Sequence, residues 1–451
     1  MSWILVNIEE SLGGGEQLHL QEAYASFPNA RRPVRFTASH PDVSLGNLAS
    51  GVLQPEMVKR AGQWLYDRLG AHPAVRKALH TAVASGTRAP IYIQLLSETA
   101  EDLPWEMLCD GSLFFALDPR WAVARIAAPD IPPAAEYYLE RTLRMMAVLS
   151  ASGVAALPEW EALYGAIREA RLPVKLRVIV GEPDLKAHIE GVADPIFREK
   201  VVEMMPGTPQ QLRDRIGDFA PNVLHFFCHG TAGDDPALHV ATAADHARGD
   251  SMGGVRVSTG SLNSIPDIHL HTWLVTLNCC QGAAATERTQ SLARSLVTSQ
   301  NSFPAVVGMR EAITSPDAHL FCYAFYRETL RVLRDFNDSG AQSREICWAE
   351  LLQKPRMNLG EQHAAGAPVA RAASELKQWT LPVVYVQAAR FRLRRAVPDP
   401  ARRAELETLR KLRKRLSVPR GMPPGVLDDI EEQIRALEEE LYPTLAPPGV
   451  R

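Results

Sequence analysis

Residues 223–230, Val223-Leu224-His225-Phe226-Phe227-Cys228-His229-Gly230, form an almost continuous apolar run that stops at a histidine and a glycine. A strand with so little polar alternation is expected where a sheet is covered on both faces. Working outward, the same kind of run recurs at 143–149, 273–277, 304–309 and 381–386, and 174–180 reads as a strand that alternates Lys175 and Arg177 against apolar residues. Helical periodicity fills the intervals at 158–171, from Thr208 with Pro209 in the first turn, at 287–299 and at 316–334. This alternation predicts an α/β fold for residues 141–397, a mostly parallel sheet with helices on both faces.

The flanking regions differ. Residues 1–140 open with Trp3-Ile4-Leu5-Val6, the turn Gly13-Gly14-Gly15 and Leu18-His19-Leu20, which read as a hairpin. The glycines lack the Gly-Lys-Ser/Thr continuation of a phosphate-binding loop, so a plain turn is expected. A helix is predicted over 55–70 and a strand over 90–96, followed by Leu103-Pro104-Trp105-Glu106-Met107-Leu108 and then Leu113-Phe114-Phe115-Ala116-Leu117. Residues 398–451 change character. Leu406, Leu409, Leu412 and Leu416 recur at helical spacing, Pro419–Gly425 breaks the chain, and Leu427, Ile430, Ile434, Leu437 and Leu441 resume it. This predicts a helical hairpin with an apolar seam. Its first arm is basic (Arg410, Lys411, Arg413, Lys414, Arg415) and its second acidic (Asp428, Asp429, Glu431, Glu432), so the arms are expected to attract each other. The alternative role is a docking element for a partner.

Composition narrows the function. The chain has 451 residues, 46% of them hydrophobic and 22% charged, which excludes a wholly disordered protein. A net charge of −3 gives no basic footprint for a nucleic-acid binder. No apolar run approaches the ~20 residues that span a bilayer, so no membrane association is expected. The N-terminus reaches Glu9 and Glu10 without a basic segment, which reads against a secretory signal and for a cytoplasmic location. Six cysteines are too few for a disulfide scaffold and are expected as free thiols.

Function in α/β sheets collects at the carboxyl ends of strands. Two such ends stand out, Cys228-His229-Gly230 and Asn278-Cys279-Cys280-Gln281-Gly282. A histidine at one end and a cysteine at the other can form a dyad in which the imidazole takes the thiol proton and the thiolate attacks a carbonyl carbon. Gly230 lets backbone approach a substrate, and the N–H groups of Gly230 and Cys280 are the natural oxyanion donors. Neighbouring residues on an extended segment face opposite ways, so only one of Cys279 and Cys280 can face His229. No metal or cofactor is expected. His225, Cys228, His229, Cys279, Cys280, His269 and His271 include adjacent pairs whose side chains diverge, and no C-x₂-C or H-x₃-H spacing occurs. His225, mid-strand, is expected to be a satisfied core histidine.

His229 lies 51 residues upstream of Cys280, and caspases place their histidine about 50 residues before a Q-A-C-[RQG]-G motif. The Cys280-Gln281-Gly282 half agrees and the preceding half does not. Together with Leu103–Leu108, Leu224–Gly230, Leu277–Cys280 and Ala324-Phe325-Tyr326, in order across 89–388, the chain resembles the CHAT-type caspase-like cysteine peptidases, bacterial relatives of caspases and separases. The resemblance implies a caspase-like sheet, with residues 1–140 resembling an inactive caspase half. It implies His229 as general base and Cys280 as nucleophile. This chain departs from the family in carrying Cys279 where a small residue is usual. Asn278 stands where some relatives place an acid that reads a basic substrate side chain, and its neutrality argues against a strict Arg or Lys requirement. Asp234 and Asp235, after Gly230, read as turn residues, with substrate recognition as the alternative.

The implied activity is endopeptidase cleavage of a specific protein substrate through a thioester, under an activating or regulatory protein partner, in bacterial defence or cell death. The rival expectation is a catalytically silent caspase-fold scaffold, since the fold can persist without the dyad.

Overall fold

The long apolar runs pair with one another because that is the way to cover both faces of each. The computed structural model describes residues 2–11, 13–37, 55–128, 131–132, 134–231, 235–250, 252–279, 290–298, 302–365, 376–395, 400–416 and 426–441. The strands are β1 (Ile4–Glu10), β2 (Glu16–Glu22), β3 (Val34–Phe36), β4 (Ile91–Leu96), β5 (Val123–Ile126), β6 (Ala135–Leu139), β7 (Leu143–Leu149), β8 (Val174–Val180) and β9 (Phe197–Met204). They continue with β10 (Val223–Thr231), β11 (Ala237–Val240), β12 (Val255–Ser258), β13 (Leu274–Cys279), β14 (Ala305–Met309), β15 (Ser343–Ile346), β16 (Pro382–Val386) and β17 (Phe391–Arg395). One sheet runs β3-β2-β1-β4-β5-β16-β14-β13-β10-β7-β8-β9, and the β11–β12 hairpin extends the end of β10. The pairings from β14 to β9 are parallel, whereas β16 runs antiparallel to β14 and the β1–β2–β3 edge is antiparallel. The result is the mostly parallel α/β sheet that the alternation of elements predicts.

Helices cover both faces. On one lie α3 (Leu157–Ala170) and α7 (Ser315–Asp338), packed with Phe227, Leu274 and Leu149. On the other lie α5 (Pro209–Phe219) and α6 (Gln290–Thr298), packed with Leu224, Phe226, Val275 and Leu277. The remaining longer helices are α1 (Pro55–Gly70), α2 (Pro73–Ser85), α4 (Pro183–Gly191), α8 (Gln353–Ala365), α9 (Pro400–Leu416) and α10 (Val426–Leu441). Phe226 and Phe227 are adjacent, both fully covered, and serve opposite layers. Each such side chain contributes ~1.5–3 kcal/mol. The starts of α5 and α7 are set locally. Thr208 and Thr314 accept from the backbone N–H three residues on, and a proline occupies the first turn.

The N-terminal strands share this sheet, because β16, from late in the chain, pairs with both β5 and β14. At that junction the Leu103–Leu108 segment has a clear task. Glu106 accepts from Arg125 Nε at 2.9 Å and Nη2 at 2.6 Å, and both side chains are fully buried. The Arg125 guanidinium also donates to the carbonyls of Glu101 (2.6 Å) and Leu103 (3.0 Å). Burial pushes the Glu106 carboxyl up, but the guanidinium outweighs it and leaves the group below the usual carboxylate range.

Two expectations need correction. The strand at 381–386 is not the last, because β17 follows it and forms a small sheet in the order β15-β17-β6. Its pattern was faint, with apolar residues only at Phe391 and Leu393 among arginines that pair with Glu136 and Glu345. The hairpin α9–α10 forms as predicted around Leu406, Ile430, Ile434 and Leu437, with Leu409 packed against them, but Leu412 is 39% exposed and lies outside the seam. The basic arm also has other partners than expected. Lys414 reaches Asp218 at 2.6 Å, Arg413 reaches Asp267 at 3.3 Å, and Glu407 approaches Arg144 at 3.9 Å. These contacts lie near the amino ends of β10, β13 and β7, away from the strand ends that carry His229 and Cys279. Among the described residues no helix is long and apolar enough to cross a membrane.

Candidate active site

Strands β10 and β13 run parallel in register from Val223 opposite Leu274 to Cys228 opposite Cys279. His229 follows Cys228 in the chain, and Cys280 follows Cys279. Cys280 and Asp234 lie outside the described residues, as does the side chain of Cys279.

His229 is 1% exposed. Its Nε2 lies 2.7 Å from the carbonyl oxygen of Ser152, just beyond β7. A carbonyl only accepts, so Nε2 carries the proton and Nδ1 holds the lone pair of the neutral ring. Nδ1 is buried and has no hydrogen-bond partner among the described residues. The Ser152 carbonyl is aimed by a tight turn in which Ala151 and Val154 bridge and Gly153 takes φ +74°. The Ser152 hydroxyl is tied to the Asp250 carbonyl. Asp245 fixes the neighbouring segment, accepting from the Thr242 N–H at 2.7 Å and the Gly254 N–H at 3.1 Å.

Gly230 continues β10 opposite Leu238 of β11. Asp235 is exposed and accepts from Arg256 at 2.7 Å, an anchor across the β11–β12 hairpin that suits the turn reading. Asn278 is a correction to its expected role as a substrate-reading residue. Its side chain is fully buried, and Nδ2 donates to Glu159 Oε1 at 2.7 Å and to the Ala318 carbonyl at 2.8 Å, so its amide N–H groups are turned to the helix layer and away from an open substrate surface.

Asn278 leads to a buried group that the sequence reading did not single out. Glu159, in the first turn of α3, is fully buried. It lies 2.6 Å from His319 Nδ1 and 3.1 Å from His225 Nε2, the latter within ion-pair reach though poorly aligned as a hydrogen bond. His225 Nδ1 meets the Tyr326 hydroxyl at 3.1 Å, so His225 is a core histidine with partners on both sides. The signal was present in the sequence. Glu159 shares a helical stripe with Leu163 and Ala166, and an acid on a core stripe is buried or not helical. Among the described residues, Glu159, His225 and Cys322 bring ligand-type atoms within 4.8 Å of one another.

Burial alone would push the Glu159 carboxyl up, yet the imidazoles of His225 and His319 beside it hold it at about 2. The unfolded value is 4.5. A depressed carboxyl adds stability that is fully present above pH 4.5 and lost as pH falls towards 2, on the order of 3 kcal/mol in all. Urea unfolding is therefore expected to show stability dropping through that window, with a shallower slope in Glu159→Gln. Equal slopes would show that Glu159 does not carry the effect.

The thiols described elsewhere are poor nucleophiles. Cys109, Cys228, Cys322 and Cys347 are buried, and burial pushes Cys322 well up and Cys347 to about 12. A cavity of about 480 Å³ lined by Gly165, Arg168, Glu169, Arg171 and Tyr323 lies between α3 and α7 and shares no residue with the site around His229.

A search of curated proteins found no match. Structural similarity was found to the Saccharomyces cerevisiae separase–securin complex, at 10% identity and a TM-score of 0.32, over 72% of this chain and 17% of that one. This chain thus spans a small part of that protein. It was also found to the Arg-specific cysteine proteinase gingipain R, at 6% identity and a TM-score of 0.38, over 76% of this chain and 70% of that one. The CHAT domain matches residues 59–343, the span that holds β10, β13, His229 and Cys280. With more than half of its length inside that match, the chain belongs to the CHAT-domain family.

Proposed function

We propose that this chain is a cysteine endopeptidase in which His229 and Cys280 form the catalytic dyad. The observation that carries the reading is the contact of His229 Nε2 with the Ser152 carbonyl at 2.7 Å. Nε2 is committed to Ser152, which leaves a buried Nδ1 lone pair on the strand beside the one that leads into Cys280. Parity along β13 supports the choice of thiol. Leu277 belongs to the α5–α6 layer, Asn278 reaches α3 and α7, and Cys280 has the parity of Asn278.

In this mechanism His229 Nδ1 accepts the Cys280 thiol proton, and the thiolate attacks the scissile carbonyl carbon. The carbonyl π electrons move to oxygen, where the N–H groups of Gly230 and Cys280 serve as oxyanion donors. Collapse expels the amine, which takes the proton from His229, and leaves a thioester. Water, deprotonated by His229, attacks the thioester carbon; the C–S bond breaks, the carboxylic acid product leaves, and the Cys280 sulfur takes the proton back from His229. The substrate is a specific protein, and Asp234 and Asp235, which follow Gly230 in the chain, are proposed to contact it. A protein regulator and a setting in bacterial defence or cell death belong to this proposal.

Iodoacetamide labelling at neutral pH followed by peptide mass spectrometry tests the dyad. Cys280 is expected to label much faster than Cys109, Cys228, Cys322 and Cys347, and His229→Ala is expected to remove that advantage. Uniform labelling would favour a catalytically silent scaffold. Alkylation is expected to stop peptidase activity and EDTA to leave it unchanged. Activity lost to EDTA and restored by zinc would sink the thiol mechanism.

The hairpin α9–α10 is proposed to dock a regulator. Its small core is separate from the two main ones, and its exposed ion pairs to the body contribute only ~0.2–1 kcal/mol each. Truncation after Ala396 is expected to leave the melting temperature and the labelling of Cys280 unchanged, while regulated cleavage of the natural substrate is lost. Unfolding on truncation would make the hairpin a structural part of the domain.

A further inference from the structure

We propose that Glu159 is a positioning residue for the dyad, its carboxylate joining α3 and α7 to the two strands that carry His229 and lead into Cys280. This rests on the dyad reading above. The carboxylate receives Asn278 Nδ2 from β13 at 2.7 Å and His319 Nδ1 from α7 at 2.6 Å, and His225 Nε2 from β10 lies at 3.1 Å. Asn278 is two residues before Cys280, and His225 is four before His229. Asn278 is held a second time, by the Ala318 carbonyl on α7 at 2.8 Å.

Apolar packing is non-directional and lets neighbouring elements slide. The β10–β13 ladder sets the stagger of the two strands, and hydrogen bonds weaken steeply with distance and angle, so the Glu159 carboxylate shared by Asn278 and His319 fixes the α3–α7 layer against β13. A base and a nucleophile on adjacent strands need that control, since a displacement of ~1 Å can cost ~100-fold in rate. A buried carboxylate is a poor way to gain stability, because an apolar replacement is often as good. Its presence behind both strand ends points to geometry. The same atoms, with Cys322, come within 4.8 Å of one another, as metal ligands would. Both carboxylate oxygens already face N–H groups, however, which favours the hydrogen-bonded hub.

The test uses the full chain and the rate constant for iodoacetamide alkylation of Cys280 across pH 5–9, measured where circular dichroism shows each variant folded. Glu159→Gln keeps the shape and loses the charge. It is expected to slow Cys280 about tenfold or more, to shift the pH of half-maximal rate, and to leave Cys109 and Cys347 unchanged. Should that variant fail to fold, His319 decides, being partly exposed at 15%. His319→Gln retains an N–H donor and is expected to stay near the wild-type rate, whereas His319→Leu should be slow. A lowered melting temperature with wild-type rates in Glu159→Gln and His319→Leu overturns the proposal and makes the hub purely structural. Stoichiometric zinc in the purified protein, lost in Glu159→Gln, overturns it in favour of a metal site. If wild-type Cys280 labels no faster than a free thiol and His229→Ala changes nothing, the dyad reading falls and takes this proposal with it. A fast, His229-dependent wild type with an unaffected Glu159→Gln removes the proposal alone.

Discussion

Cys280→Ala is expected to abolish peptidase activity and thioester formation outright, because no other atom can form the covalent intermediate. His229→Ala should cost about 10²–10⁴-fold, the usual contribution of a positioned acid–base group. Both variants should fold. His229 is buried, but it sits near the end of β10 and its side chain is held by one hydrogen bond among the described residues, to Ser152. Cys279→Ala should keep most of the activity. Peptide-cleavage assays beside melting curves check all three. An inactive Cys279→Ala with an active Cys280→Ala would move the nucleophile by one residue and reverse the parity argument along β13.

Arg125→Met is expected to be the most damaging single change to stability, at about 3–5 kcal/mol. It removes the guanidinium and leaves the Glu106 carboxylate without its two hydrogen-bond donors and with no access to water, with Arg356 as the remaining nearby positive charge. Adding Glu106→Leu should recover part of the loss, because a well-packed apolar pair avoids the unpaired charge. Recovery should be incomplete, since the carbonyls of Glu101 and Leu103 lose their donor. Urea unfolding of the single and double variants measures this. A single variant that loses less than about 1 kcal/mol would show that water reaches Glu106 and that the pair does not hold the β5–β16 junction.

Much of the sheet was legible in the chain because its central strands are buried on both faces. Leu143–Leu149 carries one polar residue and Val174–Val180 alternates Lys175 and Arg177 with a period of two, neither of which fits a helix, and both were found to the residue. The strands that were missed have one wet face or are very short. β9, on the sheet edge, reads Phe-Arg-Glu-Lys-Val-Val-Glu-Met, and β11 and β12 have four residues each. The glycine-rich turn was read correctly, with Gly14 and Gly15 at φ +84° and +81° in the β1–β2 hairpin.

The chain alone proposes His229 and Cys280 as candidates, because a strand-end histidine and a strand-end cysteine at a telling separation are one-dimensional facts. It was enough for the helical hairpin, since a leucine period needs no partner to be seen. Three-dimensional packing was needed for the rest. The role of Asn278 depends on Glu159, which lies 119 residues away. The meaning of Glu106 depends on Arg125 and on β16 reaching back into the N-terminal strands. The proton on His229 follows from the Ser152 carbonyl 77 residues upstream. Periodicity reports which side of an element avoids water, and hydrogen bonds between distant polar groups leave no periodic trace, so those assignments waited for the folded chain.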